Sequence, residues 1–133
     1  MARDLSILLI DDDEVDRMAV RRALRTSELT VDITEATTPK EARERLLSQA
    51  FDCVLIDFRL PEQNGLSLVR QLRQAGIIVP IVVLTGQGDE QIAVDLMKAG
   101  ASDYMVKTRV TADSMTQLLR NAIRVHRAEQ REA

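Results

Sequence analysis

The sequence predicts an α/β fold in which a five-stranded parallel sheet carries helices on both faces. Short, continuous apolar runs recur at Ile7–Ile10, Cys53–Ile56 and Ile81–Leu84. They are too short for core helices and apolar on both sides, as strands buried on two faces must be. Stretches of helical periodicity lie between them. The two patterns alternate strictly, strand then helix, five times, which is the signature of a layered α/β domain. Right-handed crossovers leave few ways to connect such a chain. A doubly wound (βα)5 sheet of flavodoxin type, with strand order 2-1-3-4-5, is the expected one.

The elements follow in order. After the run Ile7–Ile10, residues 14 to 26 place Val15, Met18, Ala19, Arg22 and Ala23 at helical spacing, with Arg17, Arg21 and Arg25 on the other side. Val31–Ala36 alternates as a weaker strand. Thr38-Pro39-Lys40-Glu41 reads as a helix start, with Thr38 as N-cap, Pro39 at the first helical position and Glu41 three residues after the cap. That helix is expected to run to about Ala50 and to bury Ala42, Leu46 and Leu47. Cys53–Ile56 ends at Asp57, and Pro61 and Gly65 mark the loop that follows. Leu66, Val69, Leu72 and Ala75 form the next apolar helical face, and Gly76 is its stop. Ile81–Leu84 ends at Thr85. A helix over 89–99 turns Ile92, Ala93, Leu96 and Met97 inward and closes at Gly100. Tyr104–Val106 is a short strand ending at Lys107. Thr111 or Asp113 caps a last helix that buries Met115, Leu118, Leu119, Ala122 and Ile123.

Composition narrows the function. The 133 residues suffice for one domain with one core, and 45% apolar with 29% charged residues is a globular balance. Phe51, Phe58 and Tyr104 are the only aromatics, so the core is expected to be Leu, Ile, Val and Ala. The net charge of −3 argues against a general nucleic-acid-binding surface. The single Cys53 lies inside an apolar run, which fits a reducing, cytoplasmic setting and a plain core role. No apolar stretch reaches membrane-spanning length, so no membrane insertion is expected.

The polar residues at the strand ends carry the chemistry. Asp11 and Asp12 follow the first strand, Asp57 ends the third, Thr85 the fourth and Lys107 the fifth. A parallel sheet puts all these ends on one edge, and in the 2-1-3-4-5 order the crevice between strands 1 and 3 is where ligands bind. Three carboxylates in one small cleft resist ionising together without a counter-charge. A hard divalent cation, Mg²⁺ or Mn²⁺, resolves this with oxygen ligands and can share phosphate oxygens. Lys107 supplies a point charge suited to phosphate, Thr85 a hydroxyl donor, and aspartate is a competent nucleophile toward phosphorus. Taken singly, each residue has an ordinary explanation as a turn, a cap or a surface charge. Their joint placement on one edge argues for function.

These residues resemble a family. The runs "ILLIDDDEVDR", "FDCVLIDFRLPEQNG" and "IVVLTGQGDEQIAVDLMKAGASDYMVK" look like the receiver domain of two-component response regulators, across essentially the whole chain. Asp57, Pro61 and Gly65 stand in that family's Asp-x-x-x-Pro-x-x-x-Gly frame. The resemblance implies that Asp57 accepts a phosphoryl group from a phosphohistidine on a histidine kinase or histidine phosphotransfer protein. It implies that Asp12 ligates Mg²⁺ directly and Asp11 through a water, with Asp57 and the backbone carbonyl of Arg59 completing the set. Thr85 and Lys107 then bind the phosphoryl group, and Tyr104 is the switch aromatic that turns inward as Thr85 is drawn to it. The surface of helix 4, strand 5 and helix 5 is read by a downstream partner or attached domain. Arg59 and Gln87, two residues after Asp57 and Thr85, are expected to tune the phosphoryl lifetime. Asp13 has no role in the pattern and is either exposed or part of the first helix start. Residues 1–128 are expected to form the receiver and 129–133 a polar helical tail or linker start. The family usually has Pro after the Lys; here Thr108 stands there, which leaves the cis peptide usual at that bond open.

The implied protein is not an enzyme in the ordinary sense. It promotes only its own phosphorylation and dephosphorylation. Two alternatives stay open: a phosphorylation-independent interaction module of the same fold, and an aspartate-nucleophile phosphohydrolase. The latter wants a second Asp two residues after the nucleophile, where this chain has Arg59. The arginines of helix 1 read as a solvated face or a kinase-docking surface, and His126 reads as exposed.

Overall fold

The computed structural model describes residues 4–86 and 90–132. Along the chain run β1 (Leu5–Ile10), α1 (Glu14–Arg25), β2 (Val31–Ala36), α2 (Pro39–Ser48), β3 (Cys53–Asp57), α3 (Gly65–Gln74), β4 (Ile81–Thr85), α4 (Glu90–Ala99), β5 (Asp103–Val106) and α5 (Ala112–Glu132). One 3-10 turn, Lys107–Arg109, joins β5 to α5, and the Lys107–Thr108 peptide is trans. The strands form one parallel sheet in the order β2-β1-β3-β4-β5, as expected.

Strand alternation divides the core into two layers. On one face of the sheet Ile7, Leu9, Leu55 and Leu84 pack with Val20 and Leu24 of α1 and Met115 and Leu119 of α5. On the other, Leu8, Ile10, Ile56 and Val83 pack with Ala42 of α2, Leu68 and Leu72 of α3 and Leu96 of α4. Each fully buried Leu or Ile contributes about 1.5–3 kcal/mol. Phe51 and Phe58 only flank this core and Tyr104 is exposed, so aliphatic residues do carry it. Cys53 is buried, and burial pushes its thiol up to about 12, which leaves it inert at neutral pH.

The helix starts follow their caps. Asp13 is the N-cap of α1, its carboxylate accepting from the backbone of Val15 and Asp16. Thr38 caps α2 by accepting from the Glu41 N–H, with Pro39 at the first helical position. Thr111, rather than Asp113, precedes α5, where Thr111 and Ser114 exchange backbone-to-hydroxyl bonds of 2.8 and 3.0 Å.

Four helical faces differ from expectation. α1 buries Val20, Ala23 and Leu24, while Val15 is 72% exposed and Met18, Ala19 and Arg22 also face solvent. The reason lies in Arg17 and Arg21, which turn toward the sheet and pair with Glu35 of β2 at 3.0 and 2.5 Å. Leu47, beyond the last turn of α2 that the sheet covers, is 81% exposed. Ala75 lies past the end of α3 and is exposed, and Leu68 fills the core position instead. Met97 of α4 is also exposed. His126 is half-buried rather than exposed, and lies between two clefts under the N-terminal ends of the strands. The expected start of α4 at Asp89 falls outside the described residues.

At that same lower edge Arg73 of α3 binds three carbonyls. Its Nε donates to Gly100 at 2.9 Å and its Nη1 to Ile77 and Val79 at 2.8 Å each. Burial lowers the guanidinium from its ordinary range, with the Glu129 charge opposing. Gly100 has φ +109°, and a Cβ there would meet the Arg73 side chain at 2.9 Å.

Candidate functional site

Strand register builds the site. Ile10 pairs with Ile56, so Asp11 follows at the level of Asp57. Asp57 pairs with Leu84, and Thr85 with Val106, which brings Thr85 and Lys107 to the same edge. An open cleft of about 570 Å³ lies there, lined by Asp12, Asp13, Asp16, Asp57, Arg59, Gly86 and Lys107.

The acids are not equivalent. Asp11 is 0% exposed. Its Oδ1 accepts from the Asp13 N–H at 2.9 Å, while its buried Oδ2 has no hydrogen-bond partner. Burial, with the charges of Asp57 and Asp16 added, pushes this carboxyl up to about 6, against the pull of the Asp13 N–H and Lys107. Asp12 is exposed and lines the cleft. Asp57 is 4% exposed, and its Oδ1 accepts from the Arg59 N–H at 3.3 Å. Asp13 is the helix cap described above, both exposed and part of the α1 start.

Lys107 joins these groups. Its Nζ lies 2.5 Å from Asp16 Oδ2, 3.0 Å from Asp57 Oδ1 and 3.6 Å from Asp11 Oδ2. Burial alone draws the ammonium down, but hydrogen bonds to Asp16 and Asp57 and the charges of Asp57 and Asp11 outweigh it and hold the group above its ordinary value. Arg17 does not neutralise the cluster. Its Nη1 donates to the Asp11 carbonyl at 2.8 Å, and its charge goes to Glu14 and Glu35.

A metal fits this donor set. One carboxylate oxygen each from Asp11, Asp12 and Asp57 lies within 4.8 Å of the other two. That is the scale of a Mg²⁺ oxygen shell, whose opposite ligands stand about 4.2 Å apart at bonds of about 2.1 Å. Four carboxylates against one lysine, and a buried carboxylate oxygen without a donor, are the electrostatic conditions a hard cation relieves.

The loop after β3 is held by close approach. The Gly65 N–H donates to the Phe58 carbonyl at 2.6 Å, and Arg59 bridges Asn64 across the loop. A Cβ on Gly65 would meet Phe58 Cα at 3.0 Å and the Asp57 carbonyl at 3.2 Å, both backbone atoms. Gly65→Ala is therefore expected to cost about 1–3 kcal/mol in urea unfolding. A loss below about 0.5 kcal/mol would show that the loop yields freely. Glu62 in the same loop has φ +73°.

The structure thus brings together Asp11, Asp12, Asp57, Thr85 and Lys107, with Arg59 at the cleft. Thr85 is 4% exposed and Tyr104 is on the outer side of β5, exposed. Gln87 lies outside the described residues. Asp16 is additional, with no role in the sequence reading, and Arg17, expected on a solvated or docking face, instead binds the Asp11 carbonyl and Glu35. One signal was available: Asp16 lies at i and i+4 with Val20 and at i and i+7 with Ala23, on the buried face of α1.

Comparison with known proteins gives a consistent result. A model of the response regulator receiver domain matches residues 7–120. The chain is 35% identical over 127 residues to the response regulator protein PilR of Pseudomonas aeruginosa, covering 94% of this chain and 28% of that protein. It is 33% identical over 107 residues to the transcriptional regulatory protein FixJ of Azorhizobium caulinodans, covering 80% of this chain and 50% of that protein. The chain therefore spans between about a quarter and a half of these relatives' length. A solved signal receiver domain of an HD domain-containing protein from Pseudomonas fluorescens superposes with a TM-score of 0.85 at 23% identity, covering 100% of this chain and 96% of that one, a likeness of fold.

Proposed function

The chain belongs to the response regulator receiver domain family of two-component systems, and from that premise we propose that it accepts a phosphoryl group on Asp57. The donor is a phosphohistidine of a histidine kinase or histidine phosphotransfer protein. The observation that carries this reading is the pairing of the Asp57 carboxylate with Lys107 at 3.0 Å, beside a buried Asp11 oxygen that lacks a donor.

In this reading Asp11, Asp12, Asp57 and the Arg59 carbonyl hold Mg²⁺ or Mn²⁺, with Asp11 acting through a water. An ion held there would supply the positive charge that offsets the acids and polarises the phosphoryl oxygens. An oxygen of Asp57 attacks phosphorus, the nitrogen–phosphorus bond breaks, and the imidazole leaves with the electron pair and takes up a proton. The product is an acyl phosphate. Lys107 pairs with a phosphoryl oxygen and the Thr85 hydroxyl donates to another. Tyr104, exposed in the structure, turns inward as Thr85 moves. Arg59, and Gln87 with it, tunes the lifetime of the product.

Two exposed surfaces support the reading. Val15 and Met18 of α1, with Arg22 and Arg25 alongside, give the donor protein an apolar surface with a basic flank next to the cleft. Val94 and Met97 of α4, Tyr104 of β5 and Val125 of α5 are exposed on the side read by a downstream protein or attached domain. No described helix is long and apolar enough to cross a membrane, and the reading places the protein in the cytoplasm.

The test is labelling by acetyl phosphate, a small phosphodonor. With Mg²⁺, intact mass spectrometry is expected to show the gain of one phosphoryl group. With EDTA it is expected to show none. Failure of the Mg²⁺ sample to react overturns the reading.

A further inference from the structure

We propose that Asp16 is a positioning residue that competes with the phosphoryl group for Lys107, holding the lysine toward α1 in the resting site. The inference rests on the reading of Asp57 as phosphoacceptor and goes beyond it, since Asp16 belongs to none of the roles assigned above.

The geometry is direct. Asp16 stands in the first turn of α1, three residues after the Asp13 cap, and reaches across the cleft to the end of β5. Its Oδ2 lies 2.5 Å from Lys107 Nζ, nearer than Asp57 Oδ1 at 3.0 Å or Asp11 Oδ2 at 3.6 Å. The nearest partner of the lysine is thus not the residue it is meant to serve. The Asp16 side chain is 37% exposed, and its carboxylate is paired with Lys107.

An ammonium has three donors but one charge. Phosphorylation turns the Asp57 carboxylate into a mixed anhydride, and the negative charge moves outward onto the phosphoryl oxygens. Lys107 must follow that charge. Asp16 opposes the movement, and its own charge repels an incoming phosphoryl anion. Both effects act in one direction, so removing the charge while keeping the shape favours the phosphoryl-bound state. A residue with only a structural role would do the reverse, because its loss would loosen the site.

Beryllofluoride, an anion that coordinates a carboxylate as a phosphoryl group would, reads this at equilibrium. It is titrated into wild type, Asp16→Asn, Asp16→Ala and Asp16→Glu at saturating Mg²⁺, followed by amide NMR shifts, with thermal unfolding as a check on the fold. Asp16→Asn is expected to bind roughly two- to fivefold more tightly than wild type. Asp16→Ala moves the same way, and Asp16→Glu, which restores the charge, returns toward wild type. Equal or weaker binding by both folded neutral variants overturns the inference and leaves the Asp57 reading standing. Failure of wild type to bind overturns the Asp57 reading, and this inference with it.

Discussion

Asp57→Asn is expected to abolish Mg²⁺-dependent labelling by acetyl phosphate, a loss of roughly three orders of magnitude or more, in a protein that stays folded. An amide offers phosphorus no anionic oxygen, and no other described acid has the same setting. Asp11 is as buried, but its Oδ1 is committed to the Asp13 N–H and its Oδ2 lies 3.6 Å from the lysine. Asp12 is exposed and Asp16 holds Lys107 from the α1 side. The fold survives because Asn keeps the shape of Asp57 and an oxygen that can accept the Arg59 N–H. Labelling is followed by intact mass and mapped by peptide analysis. Full incorporation in Asp57→Asn would show that another residue is the acceptor.

Asp11→Asn is expected to stabilise the metal-free protein by about 1–3 kcal/mol, because it removes a charge that burial and the neighbouring acids oppose. The Asp11 carboxylate is fully buried, one oxygen has no donor, and the neighbouring charges of Asp57 and Asp16 raise its energy further. Asn keeps an oxygen for the Asp13 N–H and removes the charge. Because an ion that binds the folded state alone stabilises it by mass action, added Mg²⁺ is expected to raise the unfolding temperature of wild type. The variant is expected to gain little. Urea or thermal unfolding in EDTA and in Mg²⁺ measures both effects. A variant less stable than wild type in EDTA would mean that the Asp11 charge is already compensated.

Both expectations depend on strand ends that were legible in sequence. The change from Ile10 to Asp11, from Ile56 to Asp57 and from Leu84 to Thr85 marks where a doubly buried strand leaves the core. Burial on two faces admits no polar residue before that point. Once alternation implied a parallel sheet, these ends had to share an edge. The face of α1 was less legible, because Arg17 and Arg21 are partly buried and pair with Glu35 of β2. Arginines can thus face inward while Val15 and Met18 do not. Leu47, Ala75 and Met97 fit a helical period, but period alone does not show where the sheet stops covering a helix. The spacing of Asp16 from Val20 and Ala23 shows its face of α1 but not its partner. Nothing local tells how far the first turn of α1 leans toward the end of β5, 91 residues away in sequence at Lys107.

The three carbonyl bonds of Arg73 have a kinematic consequence. They pin the end of α3, the approach to β4 and the end of α4 to one another at the sheet edge away from the acids. A helix fastened at its C-terminal end has one soft coordinate, a swing about that end. Any displacement of α4 would therefore grow along the helix away from that fastened end. Arg73 thus makes the edge opposite the chemistry the fastened one.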